Sequence, residues 1–163
     1  MGDLVRSIIG YAVTIALIVG GFRLYKAQDK AYIDPNDHSM KPDEYSSGGH
    51  SLNSTPLSID DYKQGDVVAF KLFAKPDEHR VARVVALEGQ RVEVVNKMVK
   101  VDGKTTAYKV DIADWTFPEI RVPRGCVYLI SDVSAFWSTT EPGVGDSMRI
   151  GPVPFYNLLG KLN

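Results

Sequence analysis

The sequence predicts a mostly β domain behind a single N-terminal membrane helix. Three observations support this fold class: residues 8–22 form an apolar run without a charge, the chain after residue 65 consists of strand-like segments separated by turn signals, and Asp102-Gly103 joins two of those segments. A chain of 163 residues with 44% hydrophobic side chains can bury one core. We therefore divide it into an anchor, residues 1–30, and a β domain, residues 31–163.

The anchor is predicted from the run IIGYAVTIALIVGGF at residues 8–22. Residues 4–25 reach membrane-spanning length if Arg6 and Arg23 extend to the two interfaces. A buried core helix would show a polar face, which this run lacks. A cleavable signal peptide would need a small-x-small site, and the following LYKAQDK offers none. We expect a retained transmembrane helix with the lipid bilayer as its partner.

The body of the chain is predicted to be a mostly antiparallel β-sheet. Its apolar residues alternate or form continuous β-branched runs in GDVVAFKLF, HRVARVVAL, QRVEVVNKMVKV and RGCVYLI. Asp102-Gly103 lies between strand-like residues and predicts a tight hairpin. Residues 46–56, rich in Gly, Ser and Asn, are predicted to be a surface loop, and residues 105–118 an irregular excursion before the next strand.

Charge and ligand-type residues exclude several function classes. The net charge of -1 leaves no basic excess to neutralise phosphates, so nucleic-acid binding is not expected. Three histidines and one cysteine, without zinc-site spacing, make a poor ligand set, so no metal is predicted, and no cofactor either. Cys126 lies in an apolar run and is expected to be a small buried hydrophobe.

Five short motifs occur in a fixed order along the chain. They are Ser39-Met40-Lys41-Pro42, Gly65-Asp66-Val67-Val68, the run RVVALEG at residues 83–89, Val122-Pro123-Arg124-Gly125, and Asp146-Ser147 leading to Gly151-Pro152-Val153-Pro154. In order and spacing they resemble the type I signal peptidase family, and most of all the mitochondrial inner membrane peptidases. Glu88 is similar to the second-subunit type, because bacterial relatives usually have proline there. The resemblance implies a strongly bent antiparallel β-sheet or barrel held at a membrane surface.

The resemblance also implies a serine-lysine dyad, in which a neutral lysine accepts the proton of the attacking serine. Ser39 is at the nucleophile position, but the lysine position directly before RVVAL is Ala82. His79 is a candidate substitute base, because relatives in the endoplasmic reticulum use histidine at the lysine position. It lies three residues before Ala82, so on a strand its side chain points to the opposite face and could reach Ser39 only through a bulge. Arg80 shares the face of Ala82 but stays protonated. Lys41 is expected to be a solvated turn residue.

Further departures from the family pattern also weaken the predicted site. Asp37 replaces a serine or glycine beside the oxyanion hole, where its charge would oppose the developing oxyanion. Val144 replaces a serine that supports the lysine, and Met148 replaces an arginine. Asp146 and Ser147 are retained as a structural motif, and we expect Asp146 to make a structural contact, for example with Arg149, although surface pairs of this kind contribute little to stability.

Our favoured hypothesis is a peptidase homologue without proteolytic activity in the mitochondrial inner membrane, with its β domain facing the intermembrane space. Its predicted partners are other inner-membrane proteins, either a sister peptidase subunit or a larger respiratory or translocation assembly. The strand at residues 79–87 is the expected edge for binding an extended peptide by β-augmentation. The predicted peptide-binding residues are Met40, Arg80, Val81, Arg83 and Val84.

Two other hypotheses stay open. One is an active membrane-bound serine endopeptidase that removes N-terminal sorting sequences after small residues, with Ser39 as nucleophile and His79 as a relocated base. The other is a membrane-tethered β domain that matches the family by chance. This last hypothesis ranks lowest because it requires five ordered coincidences.

Overall fold

The computed structural model of the chain describes residues 30–33, 39–40, 48–53, 58–75, 77–110, 116–133 and 145–162. The predicted anchor lies outside these ranges, apart from Lys30, which begins the first strand. Within the described ranges, no helix is both long and apolar enough to span a bilayer.

Eleven strands, one helical turn and two 3-10 turns make up the described structure. The strands are β1 Lys30–Ile33, β2 Gly48–Asn53, β3 Val67–Lys71, β4 His79–Ala86, β5 Arg91–Val95, β6 Met98–Val101, β7 Lys104–Lys109, β8 Phe117–Arg121, β9 Cys126–Ile130, β10 Val153–Pro154 and β11 Leu158–Leu162. The helical turn is α1 Ser147–Ile150, and the 3-10 turns are Ile59–Asp61 and Phe155–Asn157.

The larger sheet has seven strands in the order β1-β2-β11-β3-β4-β9-β10, each antiparallel to its neighbours in that order. β1 also pairs in parallel with β4, through Ile33 and His79. This second pairing closes β1, β2, β11, β3 and β4 into a five-stranded ring. The prediction of a mostly antiparallel β domain is confirmed.

The ring is filled by apolar side chains from four of its strands. Leu52 comes from β2, Val67 and Ala69 from β3, Val81 from β4 and Leu162 from β11, and all are buried. Met40, which is 0% exposed, joins them from the segment between β1 and β2. We call these six residues the ring cluster. Burial of Met40 fixes the neighbouring Ser39 against the ring.

The smaller sheet has four strands in the order β7-β6-β5-β8. Its hairpin turns have positive φ at both central residues, Asn96 and Lys97 in the first and Asp102 and Gly103 in the second. A two-residue turn of this kind matches the right-handed twist of the strands it joins. The hairpin predicted at Asp102-Gly103 is therefore present.

β4 contributes to two further apolar clusters. Ala82 and Val84 share one face of β4 by strand alternation and pack with Val68, Phe70 and Leu129 in a first apolar cluster. Beyond them β4 contains a bulge, because Val84 pairs with Leu129 and Ala86 with Tyr128, which leaves one extra residue in β4. Val85 and Ala86 pack into a second apolar cluster between the two sheets. The bulge thus joins the ring to the smaller sheet.

Two segments differ from the sequence prediction. β2 occupies most of the predicted loop at residues 46–56, because β1 and β11 pair with it on both sides and supply hydrogen bonds that need no apolar side chain. β7 and β8 begin and end the predicted irregular excursion at residues 105–118. The polar sequence KTTAYK of β7 forms a strand because the Asp102-Gly103 turn aligns it with β6.

Candidate functional site

Ser39 is buried at the edge of β4. Its side chain is 1% exposed, and its hydroxyl donates a hydrogen bond to the carbonyl oxygen of Val81 over 3.2 Å. Its own carbonyl oxygen accepts a hydrogen bond of 2.8 Å from the backbone N–H of Val133. Ser39 is therefore held between β4 and the segment that follows β9.

Ser39 lies at this position because β4 changes its pairing partner along one of its two edges. On its other side β4 pairs with β3 without interruption from His79 to Arg83. On the Ser39 side it pairs with β9 from Arg83 to Ala86 and with β1 only at His79. Among the described strands, residues 80–82 lie between these two partners. All three residues are buried, with Arg80 at 8%, Val81 at 1% and Ala82 at 0% exposure.

Ala82 lies within lysine reach of Ser39. The Ser39 hydroxyl is 3.2 Å from the oxygen of Val81, and a carbonyl oxygen lies within about 3 Å of the next Cα. The distance from Ser39 Oγ to Ala82 Cα is therefore no more than about 6 Å, roughly the span of an extended lysine side chain. Ala82 itself is fully buried in the first apolar cluster, opposite Val68.

His79 lies on the opposite face of β4 from Ala82. The register between His79 and Arg83 is unbroken, and the β4 bulge lies beyond it, between Val84 and Ala86. His79 therefore shares the face of Val81, which points into the ring cluster. Burial lowers the pKa of His79, and the nearby Lys71 lowers it further against the opposing effect of Asp77. The imidazole is consequently neutral near pH 7.

The other predicted peptide-binding residues surround the same edge. Arg80 is buried opposite Phe70, on the face of Ala82, and donates to Glu78 Oε2 over 2.6 Å. Met40 and Val81 belong to the ring cluster, while Val84 belongs to the first apolar cluster. Their contact with a peptide stays a prediction.

Arg83 forms a bidentate ion pair that the sequence analysis missed. Its Nε and Nη2 donate to the two carboxylate oxygens of Asp132 over 3.0 and 2.8 Å, and its Nη1 donates to the carbonyl oxygen of Gly65 over 3.0 Å. Asp132 directly precedes Val133, which holds Ser39. The available signal was the polar pair Ser131-Asp132 at the end of an apolar strand, but nothing in the sequence identified Arg83 as its partner.

The retained Asp146-Ser147 motif is buried rather than exposed. Asp146 caps α1 by accepting a hydrogen bond of 3.0 Å from Met148 N–H, and its second oxygen accepts one of 2.8 Å from Ser131 N–H. Ser147 Oγ accepts a hydrogen bond of 2.8 Å from the N–H of Leu129. The motif therefore ties α1 to β9 through buried backbone groups.

The ionisation of Asp146 reflects this burial. Removal from water raises its pKa to about 6, against the opposing hydrogen bonds from Ser131 and Met148 and the smaller effect of the Arg149 charge. The Asp146 carboxylate is thus ionised at pH 7 at a cost that its backbone donors offset in part.

Three residues named in the sequence analysis, Asp37, Lys41 and Val144, lie outside the described residues. Cys126 is half-buried against the second apolar cluster, and burial raises the pKa of its thiol, as does the charge of Glu88. Over the described ranges, no three acidic, histidine or cysteine side chains gather as a metal site would require.

The fold and the buried serine at a strand edge define a β domain of serine-peptidase type. Residues 5–163 match the family model of the signal peptidases, peptidase S26, so the chain belongs to this family. A signal peptidase I from Enterococcus faecalis V583, known from its crystal structure, is 19% identical, with a TM-score of 0.49 over 65% of this chain and 100% of that chain. No curated protein matched the chain.

Proposed function

We propose that this member of the signal peptidase family is a catalytically silent subunit of the mitochondrial inner membrane. In this proposal residues 1–30 anchor it in the bilayer, the β domain faces the intermembrane space, and the domain binds another inner-membrane protein. The location is supported by the run RVVALEG at residues 83–89, which resembles the mitochondrial second-subunit type.

One geometric relationship supports the loss of activity. The Ser39 hydroxyl directs its proton at the carbonyl oxygen of Val81, which cannot serve as a general base. The neighbouring position within lysine reach is Ala82, buried among apolar side chains. The lysine that activates the serine in the family is thus replaced by alanine, and loss of a general base typically costs about 10²- to 10⁴-fold in rate.

Peptide binding does not depend on that chemistry. Residues 80–82 lie between the β1 and β9 pairings, and a strand edge of this kind can bind an extended chain through backbone hydrogen bonds. Ser39 already uses the carbonyl of Val81 in this way. We propose that an extended segment of the partner occupies the same edge.

The activity test compares the wild-type protein with Ser39→Ala on a fluorogenic presequence peptide, with an active signal peptidase as the positive control. We expect both forms to release fluorescence at the background rate. Turnover by the wild-type protein that disappears in Ser39→Ala would show an enzyme and reject the silent subunit.

The variant Ala82→Lys tests whether the missing lysine alone accounts for the loss of activity. We expect this variant to stay inactive, because Asp37 and Val144 would still oppose the oxyanion and leave the lysine unsupported. Cleavage by Ala82→Lys that disappears in Ala82→Lys/Ser39→Ala would show that position 82 alone silences the site.

Location and partners can be tested together. Fractionation of mitochondria with protease protection should recover the tagged chain in the inner membrane, with the β domain digested only after the outer membrane is opened. A photocrosslinker placed at Arg80 should then capture the partner, whereas a control photocrosslinker at the exposed Arg124 should not.

The second candidate function is an active endopeptidase with His79 as base. It is favoured by one observation, the lowered pKa that keeps the His79 imidazole neutral near pH 7. In that case His79→Gln should abolish wild-type turnover as completely as Ser39→Ala. If His79→Gln retained that turnover, the base would have to be another group.

A further inference from the structure

Two adjoining cavities run along β7, away from Ser39. The larger has a volume of about 460 Å³ and lies between residues 104–108 and the side chains of Gln64, Gln90 and Asp102. The smaller, of about 290 Å³, lies between residues 107–109 and the side chains of Arg83, Ser131 and Asp132. Ala107 and Tyr108 line both cavities. The Tyr108 hydroxyl approaches Gly65, next to Gln64. We call the two cavities together the β7 groove.

The β7 groove has the backbone geometry of a peptide site. β7 is an outer strand of the four-stranded sheet among the described strands, so one of its sides faces the groove and not another strand. The side chains of β7 are exposed or half-buried. An added chain could hydrogen-bond to this side while the Gln64 amide on the opposite wall contacted its side chains.

The charges around the β7 groove favour an acidic occupant. Lys104 and Lys109 lie at its two ends, are exposed, and form no ion pair with another described residue. Of the acidic groups in the walls, Asp132 pairs with Arg83, whereas Asp102 accepts hydrogen bonds from the Arg91 N–H and the Gln90 amide, which are neutral donors. Among the described lining residues, the three cations Arg83, Lys104 and Lys109 therefore outnumber the two carboxylates by one charge.

We propose that the β7 groove binds an extended acidic segment of a partner polypeptide, independently of the Ser39 edge. A second copy of this chain fits less well. Symmetric antiparallel pairing of two β7 strands would place Lys104 of one copy opposite Lys109 of the other, and like charges directly opposite each other destabilise a sheet. The occupant is a different chain with acidic side chains near both ends of its strand.

The test uses the full-length protein in lipid nanodiscs and labelled peptides of alternating Thr and Val, about ten residues long to cover a typical strand. One peptide carries two glutamates at the spacing of Lys104 and Lys109, a second carries glutamines there, and a third carries lysines. Fluorescence anisotropy measures each dissociation constant. The glutamate peptide should bind about tenfold more tightly than the glutamine peptide, because two partly exposed ion pairs are gained.

Variants of the groove residues test whether the peptides bind in the β7 groove or elsewhere on the protein. Lys104→Glu/Lys109→Glu should lose the preference for the glutamate peptide and bind the lysine peptide instead. Lys71→Glu/Lys75→Glu, which makes the same charge change at the far hairpin between β3 and β4, should behave as the wild-type protein does. Ala107→Pro should weaken all three peptides, because proline removes a backbone donor from β7.

Three peptide-binding results would overturn the proposal: equal binding of the glutamate and glutamine peptides, unchanged preference in the Lys104→Glu/Lys109→Glu variant, or no binding to the wild-type protein. The last result would mean that the two lysines only protect an edge strand from pairing. Sedimentation of the wild-type protein covers self-association. A dimer that Ala107→Pro converts to a monomer would assign the groove to a second copy and reject the acidic partner.

Discussion

Arg83 and Asp132 are joined by a bidentate ion pair that links β4 to the segment holding Ser39. Both side chains are largely buried, at 22% and 20% exposure, so water screens the pair less than a surface pair. The planar guanidinium matches the two carboxylate oxygens, which an ammonium group cannot do. The pair thus fixes the position of Val133, and Val133 fixes Ser39.

We expect Arg83→Lys to lower the free energy of unfolding by about 1–3 kcal/mol, because it breaks the bidentate contact and the bond to Gly65. A double-mutant cycle with Asp132→Asn measures the coupling by urea unfolding. The control cycle uses the exposed pair Arg91 and Glu119, whose nitrogen and oxygen are 3.5 Å apart. That pair should give less than about 1 kcal/mol, and equal couplings would contradict the assigned role of Arg83.

Asp146 should make stability depend on pH. Its folded pKa of about 6 exceeds its ordinary value of 3.8, so the folded state holds the proton more tightly than the unfolded state. This contribution is complete below pH 3.8 and is lost as pH rises through about 6. The free energy of unfolding of the wild-type protein, relative to Asp146→Asn, should fall by up to about 3 kcal/mol between pH 4 and pH 7.

Asp61 provides a control of opposite sign. Hydrogen bonds from the backbone and side chain of Ser58 lower its pKa, so its contribution is present above the unfolded pKa and is lost as pH falls. The free energy of unfolding of the wild-type protein, relative to Asp61→Asn, should therefore fall as the pH is lowered. Parallel pH curves for the two variants would rule out the buried state assigned to Asp146.

Met40 should be the main anchor of the Ser39 segment. Its side chain is fully buried in the ring cluster, so Met40→Ala should lower the free energy of unfolding by about 2–5 kcal/mol through lost contacts and the cavity left behind. Met40→Leu, which conserves volume, should cost less than about 1.5 kcal/mol. Thermal unfolding measures both. If the two substitutions cost the same, Met40 does not fill the ring as described.

A side chain at Gly65 should destabilise the fold. Its φ is +101°, and an added Cβ would lie 3.3 Å from the Tyr108 hydroxyl oxygen. Gly103, with a φ of +76°, has nothing within 4 Å of an added Cβ, so Gly103→Ala measures backbone strain alone, of about 1–2 kcal/mol. Gly65→Ala should cost more, and Tyr108→Phe in the same chain should recover part of the difference in urea unfolding. Equal costs would exclude the close contact.

The sequence predicted the strands that contain apolar runs and missed those that rely on pairing. β3, β4, β5, β6 and β9 follow from alternating or β-branched residues. β2 and β7 are polar and rich in small residues, and their strand conformation comes from hydrogen bonds to neighbours that local patterns do not reveal. The same reason hid the ion pair of Arg83, because its partner is distant in sequence.

The sequence by itself determined which groups are available near the serine: a hydroxyl at residue 39, an alanine at residue 82 and a histidine on the opposite strand face at residue 79. Side-chain identity and strand periodicity are local properties, so they could be read without coordinates. Only the tertiary structure decided that the Ser39 proton is directed at the Val81 carbonyl and that Asp146 is buried. Both facts depend on how distant strands pack, since packing sets which backbone groups face each other and which carboxylates lose their water.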